Sequence, residues 1–204
     1  MFVRPRTAGY WVVACVLGIG VWSLAGGAYI PAKAWLAQEL MQRAWVRAGQ
    51  DVDRPVPWPW ADTWPVARLR SQARDVDLIV LSGGSGRTLA FGPGHLSASA
   101  MPGVIGNTVI AGHRDTHFRF LRDVEKGEFL SIESAGGRKH VYEVLGADVV
   151  DSRKGGLLLD TNAAFLTLVT CYPFETRDTG GPLRYIVTAR MIDQGAELAA
   201  MPPR

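Results

Sequence analysis

The chain has 204 residues, of which 48% are hydrophobic and 20% charged; this suits one folded domain with additional segments and excludes bulk disorder. Formal net charge is +3, but residues 1–65 carry 6 Lys+Arg against 4 Asp+Glu while the rest carries 16 against 15. The larger part is near neutral and has no basic stripe, so a nucleic-acid partner is excluded despite a pI near 9.1.

Residues 1–8 form a short N-terminal segment. Residues 9–30, "GYWVVACVLGIGVWSLAGGAYI", are 22 residues without a charge. About 20 such residues span a hydrocarbon core, so the run predicts an N-terminal transmembrane helix in contact with a lipid bilayer. The alternatives are a cleaved signal peptide and a buried core helix. The run exceeds the usual ~7–15-residue apolar region of a signal peptide, although "AGGA" at 25–28 has small residues suited to cleavage. Charge does not orient the span: Arg4 and Arg6 on one side face Lys33, Arg43 and Arg47 on the other.

Residues 31–65 come next. "PAKAWLAQELMQRAWVRAGQ" (31–50) has Pro31 suited to a first helical turn, an apolar stripe at Ala34, Leu36, Leu40, Met41, Ala44 and Trp45, and Gly49 at its end. It reads as an amphipathic helix that lies on a membrane or partner, or packs on the domain. "DVDRPVPWPWADTWP" (51–65) reads as an extended Pro/Trp-rich linker.

From Val66 the pattern becomes β. Strands are predicted at 66–71, 76–83, 106–113, 128–134, 139–150, 164–171 and 184–192, separated by turn signals such as "SGGSG" at 82–86. Residues 87–103 read as a short helix or irregular crossover, and 118–127 as a short helix or turn. Many short strands without internal repeats imply a mainly β domain over 66–192, a closed barrel or a sandwich. Residues 193–204 form a C-terminal tail.

The chain has two cysteines, Cys15 in the apolar run and Cys171 at the end of a strand. No CxxC pair or disulfide framework exists, and a bilayer would keep the two apart. Three polar residues stand at strand ends: His113, Cys171 and Arg184. A thiol beside a base can attack a carbonyl, and an arginine can stabilise the resulting oxyanion, so the three together would permit acyl transfer without metal. Each also has a plainer reading. Cys171 can be a packed small hydrophobe, His113 can cap a loop, and Arg184 can pair with Glu175 or Asp178. His113 and His117 form HxxxH, a zinc pair only on a helix, whereas the preceding residues read as strand. "GGSG" and "GPG" lack the context of a phosphate-binding loop.

"GNTVIAGHRDTHF", "TLVTCYPF" and "GGPLRYIVTA" together resemble the sortases, cysteine transpeptidases anchored in bacterial membranes. The resemblance runs from about Val66 to Ile192, and the "GPGHL…MPGVIGN" and "TCYPF" forms are most similar to the class D and Gram-negative (class GN) branches. It implies an eight-stranded sortase-type β-barrel with short helices. It also implies that Cys171 is the nucleophile, His113 the proton donor and acceptor, and Arg184 the group that holds substrate and oxyanion. Thr170, Arg114, Asp115 and His117 are expected on the substrate-binding rim; Arg114 and Asp115 also read as a turn-stabilising pair. His95 is a further rim candidate, though its Gly-Pro-Gly setting also suits a structural role. Residues 151–164 are expected to wall the groove, and 172–183 to link Cys171 to Arg184 through a loop with a Gly pair.

The implied partners are an exported protein with an LPxTG-like C-terminal signal and an amine acceptor. Residues 1–8 are then cytoplasmic and 31–204 extracytoplasmic. No cofactor is expected and no metal site is read; some sortases respond to calcium, but no acidic cluster here is committed to it. Two further readings stay open: a peptidase of this fold that mainly hydrolyses its target, and a catalytically silent membrane-tethered binding module.

Overall fold

The computed structural model describes residues 7–50, 53–157, 159, 161–176 and 180–192. Residues 1–6 and the tail 193–204 lie outside the described residues. Two units are present, 1–39 and 40–204.

Helix α1 (Thr7–Ala48) is one element, with Pro31 inside it rather than opening a second helix. Proline removes one backbone donor, yet Ala32, Ala34, Leu36 and Ala37 favour the helix beyond it. The expected membrane span is not shown: among the described residues, no helix is long and apolar enough to cross a membrane. Gly18, Gly20, Gly26 and Gly27 dilute the apolar run, and its side chains at 21, 24, 25, 28 and 30 lie outside the described residues.

The second unit is mainly β. Its strands are β1 (Pro65–Ser71), β2 (Val76–Ser82), β3 (Gly94–His95), β4 (Gly106–Ala111), β5 (Phe129–Ser134), β6 (Lys139–Asp151), β7 (Ala164–Cys171) and β8 (Leu183–Met191). They close into a barrel in the order β1-β2-β3-β4-β7-β8-β6-β5. A barrel of eight strands is about wide enough for side chains to fill. Alternation does the filling. Ala67 and Leu69 of β1, Leu130 and Ile132 of β5, Leu166 and Leu168 of β7, and Val187 and Ala189 of β8 all point inward and are fully buried.

Seven strands match the expected positions. The eighth, β3, lies within the segment read as a crossover: two residues show no periodicity. It pairs parallel with β2 and antiparallel with β4, bridging strands that would otherwise stay apart. Gly94 permits this, because a Cβ there would stand 2.0 Å from the Gly83 carbonyl oxygen. Before it, the short helix α2 (Gly86–Leu89) is capped by Ser85, whose hydroxyl accepts from the Thr88 N–H.

The run Ile79-Val80-Leu81 in β2 is buried on both faces. Val80 enters the barrel core, while Ile79 and Leu81 pack with Met41 and Trp45 from the last turns of α1 and with Trp58, Phe91 and Ala135. Of the readings for 31–50, packing on the domain therefore holds for Met41, Ala44 and Trp45. The Pro/Trp-rich segment is also tied down. Val56 carbonyl accepts from Arg47 Nη2 at 2.9 Å, Thr63 Oγ1 donates to Ser82 carbonyl at 2.8 Å, and Trp58 meets Phe91 edge-on. Trp45→Ala should lower the stability of the barrel by about 3 kcal/mol, read as a shift in the denaturation midpoint.

Candidate active site

β4 and β7 run parallel, in register from Gly106↔Ala164 to Ala111↔Val169. Continued by two residues, this register sets His113 level with Cys171. The Gly112 N–H donates to Val169 carbonyl at 3.0 Å, and Thr170 Oγ1 donates to Gly112 carbonyl at 2.7 Å, so the register holds past the end of β4. β7 and β8 are antiparallel, and Cys171 and Arg184 are directly paired. One rim of the barrel thus gathers all three expected residues.

Side-chain direction follows from the pleat. Leu166, Leu168 and Thr170 face the core, so Thr167, Val169 and Cys171 face outward. Cys171 is a half-buried free thiol at the top of this outer face, and His113 is exposed. Arg184 Nη1 donates to the Gly181 and Leu183 carbonyls at 2.5 and 2.8 Å. Its expected alternative partner Glu175 lies near Arg122 instead, at 3.7 Å, and Asp178 lies outside the described residues.

The segment after His113 is a tight turn rather than a helix, so HxxxH is not on a helical face here. His113 carbonyl accepts from the Phe118 N–H at 3.0 Å. The Phe118 ring is fully buried against Gly112, where a Cβ would lie 2.8 Å from the ring. The glycine before the histidine is therefore needed for this close approach.

The remaining expected rim residues take different tasks. Thr170 is buried and cross-ties β7 to Gly112 through its hydroxyl. Arg114 is also buried, donating from Nη1 to Pro173 carbonyl and from Nη2 to Thr176 carbonyl, each at 2.8 Å. Asp115 is exposed and accepts from Arg114 Nε at 3.3 Å. The pairing of Arg114 and Asp115 read from the sequence is thus present but long, and the two backbone carbonyls are the closer partners.

His117 lies beside Asp75, Asp77, Arg119, Phe120 and Asp123 around a cavity of about 490 Å³. Burial, and then the charge of His113, holds its imidazole below the usual histidine range. His95 is structural: it is buried, with Nε2 hydrogen-bonded to Ala100 carbonyl at 3.0 Å and to Ser99 Oγ at 3.2 Å.

Of residues 151–164, expected to wall the groove, 158 and 160 lie outside the described residues. The Asn107 N–H donates to Leu159 carbonyl, which ties the segment to the start of β4, at the end away from His113. At its start, the Ser152 N–H and hydroxyl both donate to Pro182 carbonyl, linking it to the loop before Arg184. The Arg153 guanidinium, bonded to Asp151, holds that carboxyl down at about 2. Residues 177–179 of the expected Cys171–Arg184 link lie outside the described residues. The sequence did not point to Tyr172, Phe174 and Tyr185 as a unit. Their rings pack together beside Cys171, with Tyr172 stacked on Tyr185 at 6.2 Å and Phe174 edge-on to Tyr185 at 5.1 Å.

A sortase-domain family model matches residues 69–192. Sortase D of Bacillus subtilis (strain 168) is 32% identical over 119 residues, covering 58% of this chain and 59% of that protein. The chain thus spans less than two thirds of that relative's length. Among solved structures, sortase A from Corynebacterium diphtheriae is similar at 30% identity and a TM-score of 0.58, covering 71% of this chain and 64% of that one. Sortase C-1 from Actinomyces oris is similar at 28% identity and a TM-score of 0.56, with coverages of 64% and 74%. A Clostridium perfringens sortase D5 transpeptidase has a TM-score of 0.58, with coverages of 74% and 89%; at 23% identity this is a likeness of fold.

Gly112→Ala should cost about 1–3 kcal/mol by overpacking Phe118, and it should shift the His113 ring resonances in an NMR spectrum. The lowered His117 value has a pH consequence. The unfolded chain binds this proton more readily, so the stability associated with neutral His117 is present above the ordinary histidine value of 6.5 and is lost as pH falls below it. His117→Gln should therefore flatten the loss of stability on acidification below about pH 6.5, measured by denaturant titration across pH.

Proposed function

The chain belongs to the sortase family, and on that premise we propose that it is a membrane-anchored cysteine transpeptidase that takes an LPxTG-like C-terminal sorting signal and passes the acyl group to an amine. Relatives in this family are cysteine transpeptidases acting on secreted proteins, with amines as acceptors. The observation that carries the reading is the joint register of β4, β7 and β8, which sets His113, Cys171 and Arg184 at one rim.

In the proposed scheme, the Cys171 thiol proton passes to His113 as Sγ attacks the carbonyl carbon between Thr and Gly of the signal. A carbon–sulfur bond forms, and the carbonyl oxygen takes the negative charge beside the Arg184 guanidinium. As the intermediate collapses, the carbon–nitrogen bond breaks and His113 gives a proton to the departing amine. A thioester on Cys171 remains. The acceptor amine then attacks the same carbon and His113 takes its proton; as the new amide forms, the sulfur leaves and recovers the proton from His113. The thioester conserves the acyl group in activated form, so no external energy source is needed. The scheme uses no cofactor.

Anchoring through residues 9–30 belongs to the proposal. It is supported by the absence of charge across 22 residues and by the exposed side chains of Trp11, Val12, Val13, Val16, Leu17 and Ile19 on α1. With residues 1–8 cytoplasmic, the barrel stands outside the membrane, where exported substrates are met. A free Cys171 in that oxidising setting suits a reactive thiol better than a spare one.

The test is a peptide bearing an LPxTG-like signal, followed by mass spectrometry with and without an added amine. The expected result is an acyl-enzyme on Cys171 and an amine-dependent product, both absent in Cys171→Ala. Turnover by Cys171→Ala would overturn the mechanism, and a product indifferent to added amine would make the protein a hydrolase.

A further inference from the structure

The two loops that carry the reacting groups are not neighbours in sequence. His113 begins the loop after β4, and Cys171 is followed by the segment 172–176. Between them lies Arg114, only 6% exposed. Its Nη1 donates to the carbonyl of Pro173 and its Nη2 to the carbonyl of Thr176, both at 2.8 Å. One planar fork thus grips two carbonyls three residues apart, in a segment that has left the β ladder. The last rung before that departure is the Tyr172 N–H on Leu183 carbonyl at 3.1 Å.

Removing a guanidinium from water is costly unless its donors are satisfied, so a buried arginine spent on backbone carbonyls reports a demand for geometry. Arginine meets that demand because its donors are fixed in one plane; lysine offers a single rotatable ammonium. The grip is also adjacent to both reacting groups. Arg114 follows His113 directly, and Pro173 is two residues beyond Cys171. Motion of the 172–176 segment is therefore coupled to the backbone on which His113 stands. The other restraints on His113 come from Gly112, bonded to Val169 and Thr170, and from Phe118 on the far side of the turn. Among the described residues, Arg114 adds a direct hydrogen-bonded tie from this loop to the segment beyond Cys171.

We propose that Arg114 is a positioning residue: it fastens the segment after Cys171 to the loop of His113 and so fixes the relation between thiol and imidazole, without touching substrate. The proposal rests on the acyl-transfer reading of the same rim. A misplacement of about 1 Å between reacting groups is enough to cost about 100-fold in rate.

The experiment compares Arg114→Gln and Arg114→Lys with the parent full-length protein. It uses the signal-peptide assay together with backbone hydrogen exchange followed by mass spectrometry. The expected result in both variants is faster exchange confined to residues 172–176. kcat should fall by about 10- to 100-fold, with KM and the shape of the pH profile unchanged. Recovery of kcat in Arg114→Lys would overturn the proposal by showing that charge near His113 suffices. A raised KM at constant kcat would overturn it in favour of direct substrate contact. Unchanged exchange and kcat in both variants would overturn it, as would exchange accelerated throughout the barrel in both, which would make the residue a general support of the fold. If Arg114→Gln does not fold, Arg114→Lys alone decides by the same outcomes. Should the parent show no transfer activity, the acyl-transfer reading fails, while the exchange of residues 172–176 still judges the clamp.

Discussion

Everything at the rim that gathers His113, Cys171 and Arg184 depends on β4 and β7 lying side by side and parallel. In an antiparallel pair, the residues that end the two strands sit at opposite ends of the sheet. Parallel pairing instead brings both C-terminal ends to one rim, so the residue two places past Ala111 meets the level of the residue two places past Val169. A parallel neighbour cannot be reached by a tight turn, and here β5 and β6 are threaded between. β8 then returns antiparallel to β7, which puts its first residues, Arg184 among them, at that same rim. A base, a thiol and a cation far apart in the chain are collected by strand direction alone.

That collection is coarse, and the loops refine it with buried anchors. Phe118 lies flat on Gly112 and closes the turn after His113, while Thr170 spends its hydroxyl on Gly112 carbonyl. Ser152 joins the segment before β7 to Pro182 through two hydrogen bonds. Each anchor is a side chain or backbone group with a fixed partner, so the rim residues rest on a well-tied base. This is the usual division between a rigid scaffold and functional loops.

Much of this was legible from residues alone, for identifiable reasons. β7 announces itself through "FLTLVT", where alternation and β-branched residues coincide, and β8 through "YIVTA". β3 was not legible, since two residues carry no period and its existence depends on Gly94 clearing Gly83. Pro31 misled in the opposite direction: a residue that favours helix starts is carried inside α1 by strong helix formers around it. At the site, His113, Cys171 and Arg184 each stand at the end of a recognisable strand, and the sortase-like motifs around them carry their expected roles. The tasks of Thr170 and Arg114 were not legible, because whether a polar side chain faces a groove or a neighbouring carbonyl is set by partners about 60 residues away in sequence.

The place of β7 between β4 and β8 bears on how the molecule comes into being. During synthesis, the histidine loop is made some 58 residues before the cysteine, and the arginine another 13 after it. Contacts of such long separation form late, because the intervening chain must first be organised. Until β7 settles against β4 and β8 closes beside it, the thiol has neither a base at its level nor a guanidinium opposite. In a nascent chain the three residues therefore stay apart, and completion of the barrel itself is what brings them to one rim.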